Sequence, residues 1–241
     1  MDGFDPFDGA LLVDKPPGLT SHDVVYRIRR GFHFDKVGHC GTLDPAATGL
    51  LIIVVGKATK LSEKIMGGDK VYEGSIRFGE TTDSYDGDGQ LVASMPVLPM
   101  TAEELGAAAA EFQGDLMQTP PMVSAVKIKG VPLYKMARKG IEVERKARLV
   151  HVFGFKINGY SEPDAQFRVA CTKGTYIRSL AHDLGQKMGC GAHLKSLRRT
   201  VSGKYNVADS LPLQTLLEMP LSDLEKRVIP FLKLAQNEQV V

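Results

Sequence analysis

Residues 38–49 read Gly-His-Cys-Gly-Thr-Leu-Asp-Pro-Ala-Ala-Thr-Gly, and an unbroken apolar run, Leu50-Leu51-Ile52-Ile53-Val54-Val55, follows at once. No other feature constrains the fold as much. Six consecutive apolar residues, four of them β-branched, predict a strand buried on both faces, and such a strand gives the preceding loop a rigid floor. The glycines allow backbone to approach backbone where a Cβ would clash. A loop held in this way can keep one carboxylate, Asp44, in a fixed place, and a nucleophile or base needs that. The same residues also suit a plain Asx turn leading into a strand, with Asp44 bonded to nearby amides. The segment alone leaves both readings open.

The remaining pattern predicts alternating helices and strands. Residues 1–9 are expected to be a frayed tail and 10–13 a short strand. Thr20 with Asp23, and Thr101 with Glu104, have the spacing of capping boxes opening helices, the second running through Gln113. Residues 70–78, 148–158 and 165–171 read as strands. The spacing of Ile177, Leu180, Ala181, Leu184 and Met188 predicts a helix over 177–188. Helices are expected over 211–219 and 222–234, the latter capped by Ser222 with Glu225. Residues 116–147, broken by Pro120-Pro121, Gly130, Pro132 and Gly140, predict a long functional loop with a short helix near 132–139.

Several familiar sites are excluded by spacing. Gly56-Lys57-Ala58-Thr59 lacks the residues of a phosphate-binding P-loop, and Asp86 and Asp88 lack the glycine and glutamate of a calcium loop. Cys171, His182, Cys190 and His193 have no paired-ligand spacing for zinc. Ser21-His22-Asp23 are consecutive, and consecutive helical side chains diverge, so they form no triad. Three scattered cysteines argue against a disulfide framework and fit a reducing cytoplasm. No apolar run is long enough to span a membrane, and the N-terminus has no signal-peptide pattern. Net charge is only +2, so composition alone does not demand a polyanion. The charge is uneven, however. Basic clusters at 27–30, 135–148 and 195–199 are expected to face phosphate.

The 38–49 segment resembles the catalytic motif of the TruB family of pseudouridine synthases through His39, Gly41, Leu43-Asp44-Pro45 and Thr48-Gly49. Six further stretches also match, in that family's order along the chain: 12–18, 70–72, 82–90, 120–127, 173–178 and 194–200. Cys40 departs from the pattern, which has Thr or Ser there. The resemblance implies an α+β catalytic domain over 10–210, with a mixed, largely antiparallel sheet flanked by helices and an RNA-binding thumb near 116–147. Residues 211–241 would be a helical extension in place of the C-terminal RNA-binding domain many members carry.

The activity implied is isomerisation of uridine to pseudouridine at position 55, in the T loop of tRNA, with no cofactor, no metal and no obligate protein partner, by a monomer. The resemblance makes Asp44 the nucleophile or base, Tyr72 the ring that stacks on the target base, and Arg178 the partner of the Asp44 carboxylate. A cation in the first turn of a helix opposes the helix dipole, which independently favours an anionic partner for Arg178. Tyr176 and Leu197 would wall the pocket, His39 would insert into the T loop, and Lys15 would support the site. Lys135, Arg138 and Lys139 would touch phosphates. Two other classes remain open on sequence: the catalytic subunit of an RNA-guided particle, and an RNA-folding module in which Asp44 is structural.

Overall fold

The computed structural model describes all residues except 1–4, 125, 129, 134, 135, 137–139, 142 and 237–241. Its strands are β1 Gly9–Lys15, β2 Val37–Cys40, β3 Thr48–Val55, β4 Lys70–Phe78, β5 Glu80–Thr82, β6 Leu91–Ser94, β7 Gly114–Gln118, β8 Lys127–Ile128, β9 Val131–Pro132, β10 Arg148–Ser161, β11 Asp164–Cys171, β12 Ala192–Ser202, β13 Tyr205–Asn206, β14 Leu211–Pro212 and β15 Ile229–Pro230. Its helices are α1 Ser21–Gly31, α2 Ser62–Met66, α3 Ala102–Ala110, α4 Ile177–Lys187, α5 Leu213–Leu217, α6 Leu221–Glu225 and α7 Phe231–Gln236. The chain divides into two compact units, one of Met1–Lys70 with Arg198–Val241 and the other of Val71–Leu197. The 211–241 segment falls in the first unit together with residues 198–210.

In the first unit β3 is the central strand. It pairs antiparallel with β1 along its whole length, from Gly9↔Val55 to Lys15↔Gly49. Its other edge is shared. β2 takes the far half, with Cys40 opposite Ile52, and the end of β12 runs parallel beside Thr48 and Gly49. Residues 41–47, the Asp44 loop, join β2 to β3 where β3 passes from one of these partners to the other. Leu50, Ile52 and Val54 join Ala10, Cys40, Ala58, Ile65 and Leu234 in one buried cluster, and Leu51 and Ile53 on the opposite face are buried too. Burial on both faces is what the unbroken apolar run predicts, each fully buried side chain contributing about 1.5–3 kcal/mol. The Thr20–Asp23 capping box starts α1 as expected, with Val24, Val25 and Ile28 inward.

Residues 5–9 are not a frayed tail. Asp8 is buried, and its carboxylate accepts the amide of Lys57 at 2.6 Å. Nor is the C-terminal segment simply helical: β14 pairs parallel with β1 and β15 pairs antiparallel with it. Helix α6 starts after Pro220 with no side-chain cap, so Ser222 does not cap it as expected. A proline at the cap already fixes the local backbone angle and removes an amide that would need a partner.

The second unit holds the first half of β12, then β4, β11, β10 and β7 side by side. β10 and β11 form a long antiparallel hairpin and β7 is its edge partner, with Met117 opposite Leu149. Part of the expected 116–147 loop is thus an edge strand, and a small β8–β9 hairpin occupies more of it. The helix expected near 132–139 falls largely outside the described residues. Thr101 and Glu104 form the second capping box, opening α3. Together these pairings give the mixed, mainly antiparallel sheet with flanking helices that the sequence predicts.

Candidate active site

The Asp44 loop is fastened to the first unit through its backbone. Ser21, buried at the start of α1, accepts the amide of Leu43 at 2.8 Å and donates to the Leu43 carbonyl at 3.1 Å. On the other side of Asp44, the Pro45 carbonyl accepts the Gly18 amide at 2.9 Å and the Lys15 ammonium at 3.1 Å. The Asp44 carbonyl closes a turn by accepting the Ala47 amide at 3.1 Å. The two residues flanking the carboxylate are therefore held by groups from elsewhere in the chain, while the Asp44 side chain stays only half-buried.

Arg199 anchors the ends of the loop. It is 1% exposed. Its Nε donates to the Leu50 carbonyl at 2.8 Å, and its terminal nitrogens donate to Gly41 at 3.1 Å and Thr42 at 3.4 Å. Gly49 has φ +95°, and a Cβ there would lie 2.3 Å from the Arg199 carbonyl oxygen, so only glycine lets β12 come this close. The cations of the basic cluster at 195–199 each have a partner within the chain. Arg199 is buried, Arg198 makes a two-pronged pair with Asp14 at 2.9 and 2.7 Å, and Lys195 bonds Asp164 at 2.6 Å. In contrast, Arg27, Arg29 and Arg30 on α1 are exposed.

Lys15 has 0% exposure and donates to the carbonyls of Pro16, Leu19 and Pro45 at 2.9, 2.6 and 3.1 Å. Burial lowers its pKa to about 8, while the negative charges of Asp44 and Asp23 pull it up. His39 lies on β2 opposite Ile53. Burial, then the Arg199 charge, hold its imidazole below the ordinary range, so it is neutral at neutral pH. Its Nδ1 is buried with no hydrogen-bond partner among the described residues. Burial pushes the Cys40 thiol up to about 12, which keeps it protonated and inert.

The second unit carries the other predicted residues. Tyr72 lies mid-strand on β4 and is 9% exposed. Beside it, a Cβ on Gly74 would lie 2.1 Å from the Ser196 carbonyl oxygen, and the Ser75 and Ser196 hydroxyls are 2.7 Å apart. This close approach sets β12, with half-buried Leu197, against β4. Tyr176 is the N-cap residue of α4. Gln118 clasps its backbone, accepting the amide at 2.7 Å and donating to the carbonyl at 3.0 Å, and the Arg148 guanidinium lies 4.7 Å from its ring centre.

Arg178 does have an anionic partner. It is 3% exposed, with Nη1 3.4 Å from Asp86 Oδ2 and 3.0 Å from the Ser84 carbonyl, and Nη2 2.7 Å from the Val123 carbonyl. Asp86 is itself held by the Ser84 hydroxyl and the Asp88 amide. Pairing of Arg178 with Asp44 is considered under the proposed function. Lys135, Arg138 and Lys139 lie outside the described residues.

The sequence reading missed four side chains that shape these two halves: Ser21, Arg199, Gln118 and Asp86. Gly41 and Gly49 were the available signal for Arg199, since paired glycines around a loop suggest something close against them. No cluster of metal-ligating side chains occurs among the described residues, and none of their helices is long and apolar enough to cross a membrane.

A family model described as the TruB family pseudouridylate synthase N-terminal domain matches residues 29–177. The chain belongs to the TruB family. A second model, the tRNA pseudouridylate synthase B C-terminal domain, matches 178–232, so part of the expected extension is a recognised TruB element. A tRNA pseudouridine synthase B from Opitutus terrae is 54% identical over 95% of this chain and 95% of its own. Proteins of the same name from Syntrophotalea carbinolica and Clostridium acetobutylicum are each 45% identical over 90% of this chain, and over 71% and 74% of their own. Among solved structures, a chain in a Cbf5-Nop10-Gar1 complex is similar at 29% identity and TM-score 0.74, over 96% of this chain and 65% of its own. One from an H/ACA RNP bound to a substrate RNA containing 2'-deoxyuridine is 27% identical with TM-score 0.71, over 95% of this chain and 61% of its own. This chain thus spans under two thirds of those solved chains, and the likeness extends through the pseudouridine synthase fold.

Proposed function

We propose that this TruB-family chain isomerises uridine to pseudouridine at position 55, in the T loop of tRNA, with Asp44 as the reacting carboxylate. The supporting observation is the Asp44 loop, whose backbone is bonded on both sides of the carboxylate by Ser21, Lys15 and Gly18. Bonding of that kind keeps a side chain in a reactive position without reorganisation during the reaction.

The target base must leave its stack to expose its reacting atoms, at a cost of about a few kcal/mol. Stacking on Tyr72 and phosphate contacts from basic side chains offset that cost. Asp44 acts as a nucleophile or removes a sugar proton, and the bond from C1′ to N1 breaks. The freed base rotates and C5 bonds to C1′, as the bond made by Asp44 breaks or the proton it took from the sugar returns. Tyr72 removes the proton from C5, and N1 ends protonated, so the product has the atoms of the substrate. Arg178 fixes and charges the Asp44 carboxylate, Tyr176 and Leu197 line the base site, and His39 fills space vacated in the T loop. Lys135, Arg138 and Lys139 contact phosphate. No redox equivalent or cofactor enters this scheme.

The RNA-guided reading draws on the Cbf5 and H/ACA structures at 29% and 27% identity. Relatives named tRNA pseudouridine synthase B stand at 45–54% and favour the stand-alone reading. The three cysteines are free and buried, compatible with work in the cytoplasm. The deciding experiment incubates the purified chain with unmodified tRNA transcript tritiated at uracil C5. Release from a single T-loop uridine is expected, absent with Asp44→Asn, while the variant still binds tRNA. An active Asp44→Asn enzyme would overturn the assignment.

A further inference from the structure

A groove of about 440 Å³ opens in the first unit, away from the Asp44 loop. Half-buried Leu12 of β1, Leu211 and Ile229 supply its apolar lining, with Leu11 and Leu216 buried beneath. Around it stand Lys204, Lys226, Arg227 and Lys233, with Asp209 as the acidic and Tyr205 as the aromatic lining residue among the described residues. Four cations and one anion line it, in a chain whose whole net charge is +2. Lys226 is partly neutralised by Asp223 at 2.8 Å. Lys204 and Arg227 are exposed, and the Lys204 ammonium lies 5.4 Å from the Tyr205 ring centre.

An apolar lining, one ring and a cationic rim match the two halves of a nucleotide, a flat base and a phosphate. The volume lies in the range of small-ligand sites, about 300–1,000 Å³. Position argues that this is not the reacting nucleotide. Leu12 is three residues before Lys15, which holds the Asp44 loop, so roughly 10 Å of strand separates the groove from that loop.

We propose that this groove holds a second, non-reacting nucleotide of the RNA substrate, with Lys204 and Arg227 on its phosphate. The proposal rests on RNA being the substrate, as in the function above. Its test is equilibrium binding of unmodified tRNA transcript by Lys204→Ala/Arg227→Ala, measured across a salt series. A control, Lys156→Ala/Arg168→Ala, removes the same charge from exposed positions on β10 and β11.

The groove variant should bind at least about tenfold more weakly. The slope of log K against log salt should fall by about 0.7–0.9, the share of the one phosphate left without its cations. The control should change both by much less. An unchanged affinity and slope in the groove variant, or an equal loss in the control, overturns the proposal. Tritium release by the wild type is scored separately. A protein that releases tritium while its binding ignores the groove variant loses the groove and keeps the catalytic reading. One that binds, responds to the groove variant and releases nothing keeps the groove and loses the catalytic reading.

Discussion

Ser21 Oγ bridges both polar groups of the Leu43 peptide, accepting from its amide at 2.8 Å and donating to its carbonyl at 3.1 Å. Ser21→Ala leaves a buried amide and carbonyl one residue from Asp44 without that partner. A buried unsatisfied group costs about 1–3 kcal/mol. The backbone is expected to shift to recover a bond, carrying Asp44 with it. A displacement near 1 Å can cost about 100-fold in rate. The variant should therefore show a fall in kcat of about 10–100-fold with KM changed less than threefold. A loss confined to KM would assign Ser21 to substrate binding instead.

Lys15 gives a pH dependence with a definite sign. Its folded pKa lies near 8, below its ordinary value of 10.5. Between these values the unfolded chain holds a proton that the folded chain has released, so this group makes stability rise with pH across that window. Below about 8 both states are protonated, and the full cost of burying the charge is present. Urea unfolding of the wild type and Lys15→Met between pH 7.5 and 10 should reveal it. The wild-type stability minus that of the variant should climb with pH, by at most about 1.4 kcal/mol per unit. A flat or falling difference would show that the three carbonyl bonds keep Lys15 charged.

Much of this fold is legible in the chain because its signals are local. The run 50–55 predicts a strand buried on both faces, and the capping spacings at Thr20 and Thr101 correctly place the starts of α1 and α3. Asp44 stands out because glycine, proline and threonine surround it. What escapes is long-range. Arg199 reads as surface charge, since nothing near position 199 announces that residues 41, 42 and 50 will present carbonyls to it. Residues 5–9 read as a tail because the partner of Asp8 is the amide of Lys57, 49 positions away. The segment 192–202 carries too many charges to read as a strand. Its charged side chains are matched by Asp14, Asp164 and backbone carbonyls that only the fold brings close.

Gly49 and Gly18 separate strain from collision. Both have positive φ, +95° and +82°. A Cβ at Gly18 meets nothing within 4 Å, whereas at Gly49 it falls 2.3 Å from the Arg199 carbonyl oxygen. Gly18→Ala should cost the backbone strain alone, about 1–2 kcal/mol. Gly49→Ala should cost about 3 kcal/mol or more, because two strand backbones must separate as well. Chemical denaturation of the two variants side by side checks the ordering. Equal losses would mean that β12 yields without cost at Arg199.

Arg178 is bonded to two carbonyls and Asp86 in the second unit, and the proposed mechanism also gives it the Asp44 carboxylate. The two roles predict different kinetics. Asp86→Asn removes only the anchoring charge, and should lower stability by about 1–3 kcal/mol while kcat changes less than tenfold. Arg178→Lys keeps a charge but loses the planar fork that can serve several acceptors at once. It should lower kcat by about 100-fold or more, beyond what its stability loss explains. Unfolding curves and single-turnover tritium release on the same samples separate the two effects. Equal kcat losses in both variants would reduce Arg178 to an anchor for the 83–90 turn and leave the Asp44 carboxylate to be oriented by Lys15 and its own loop.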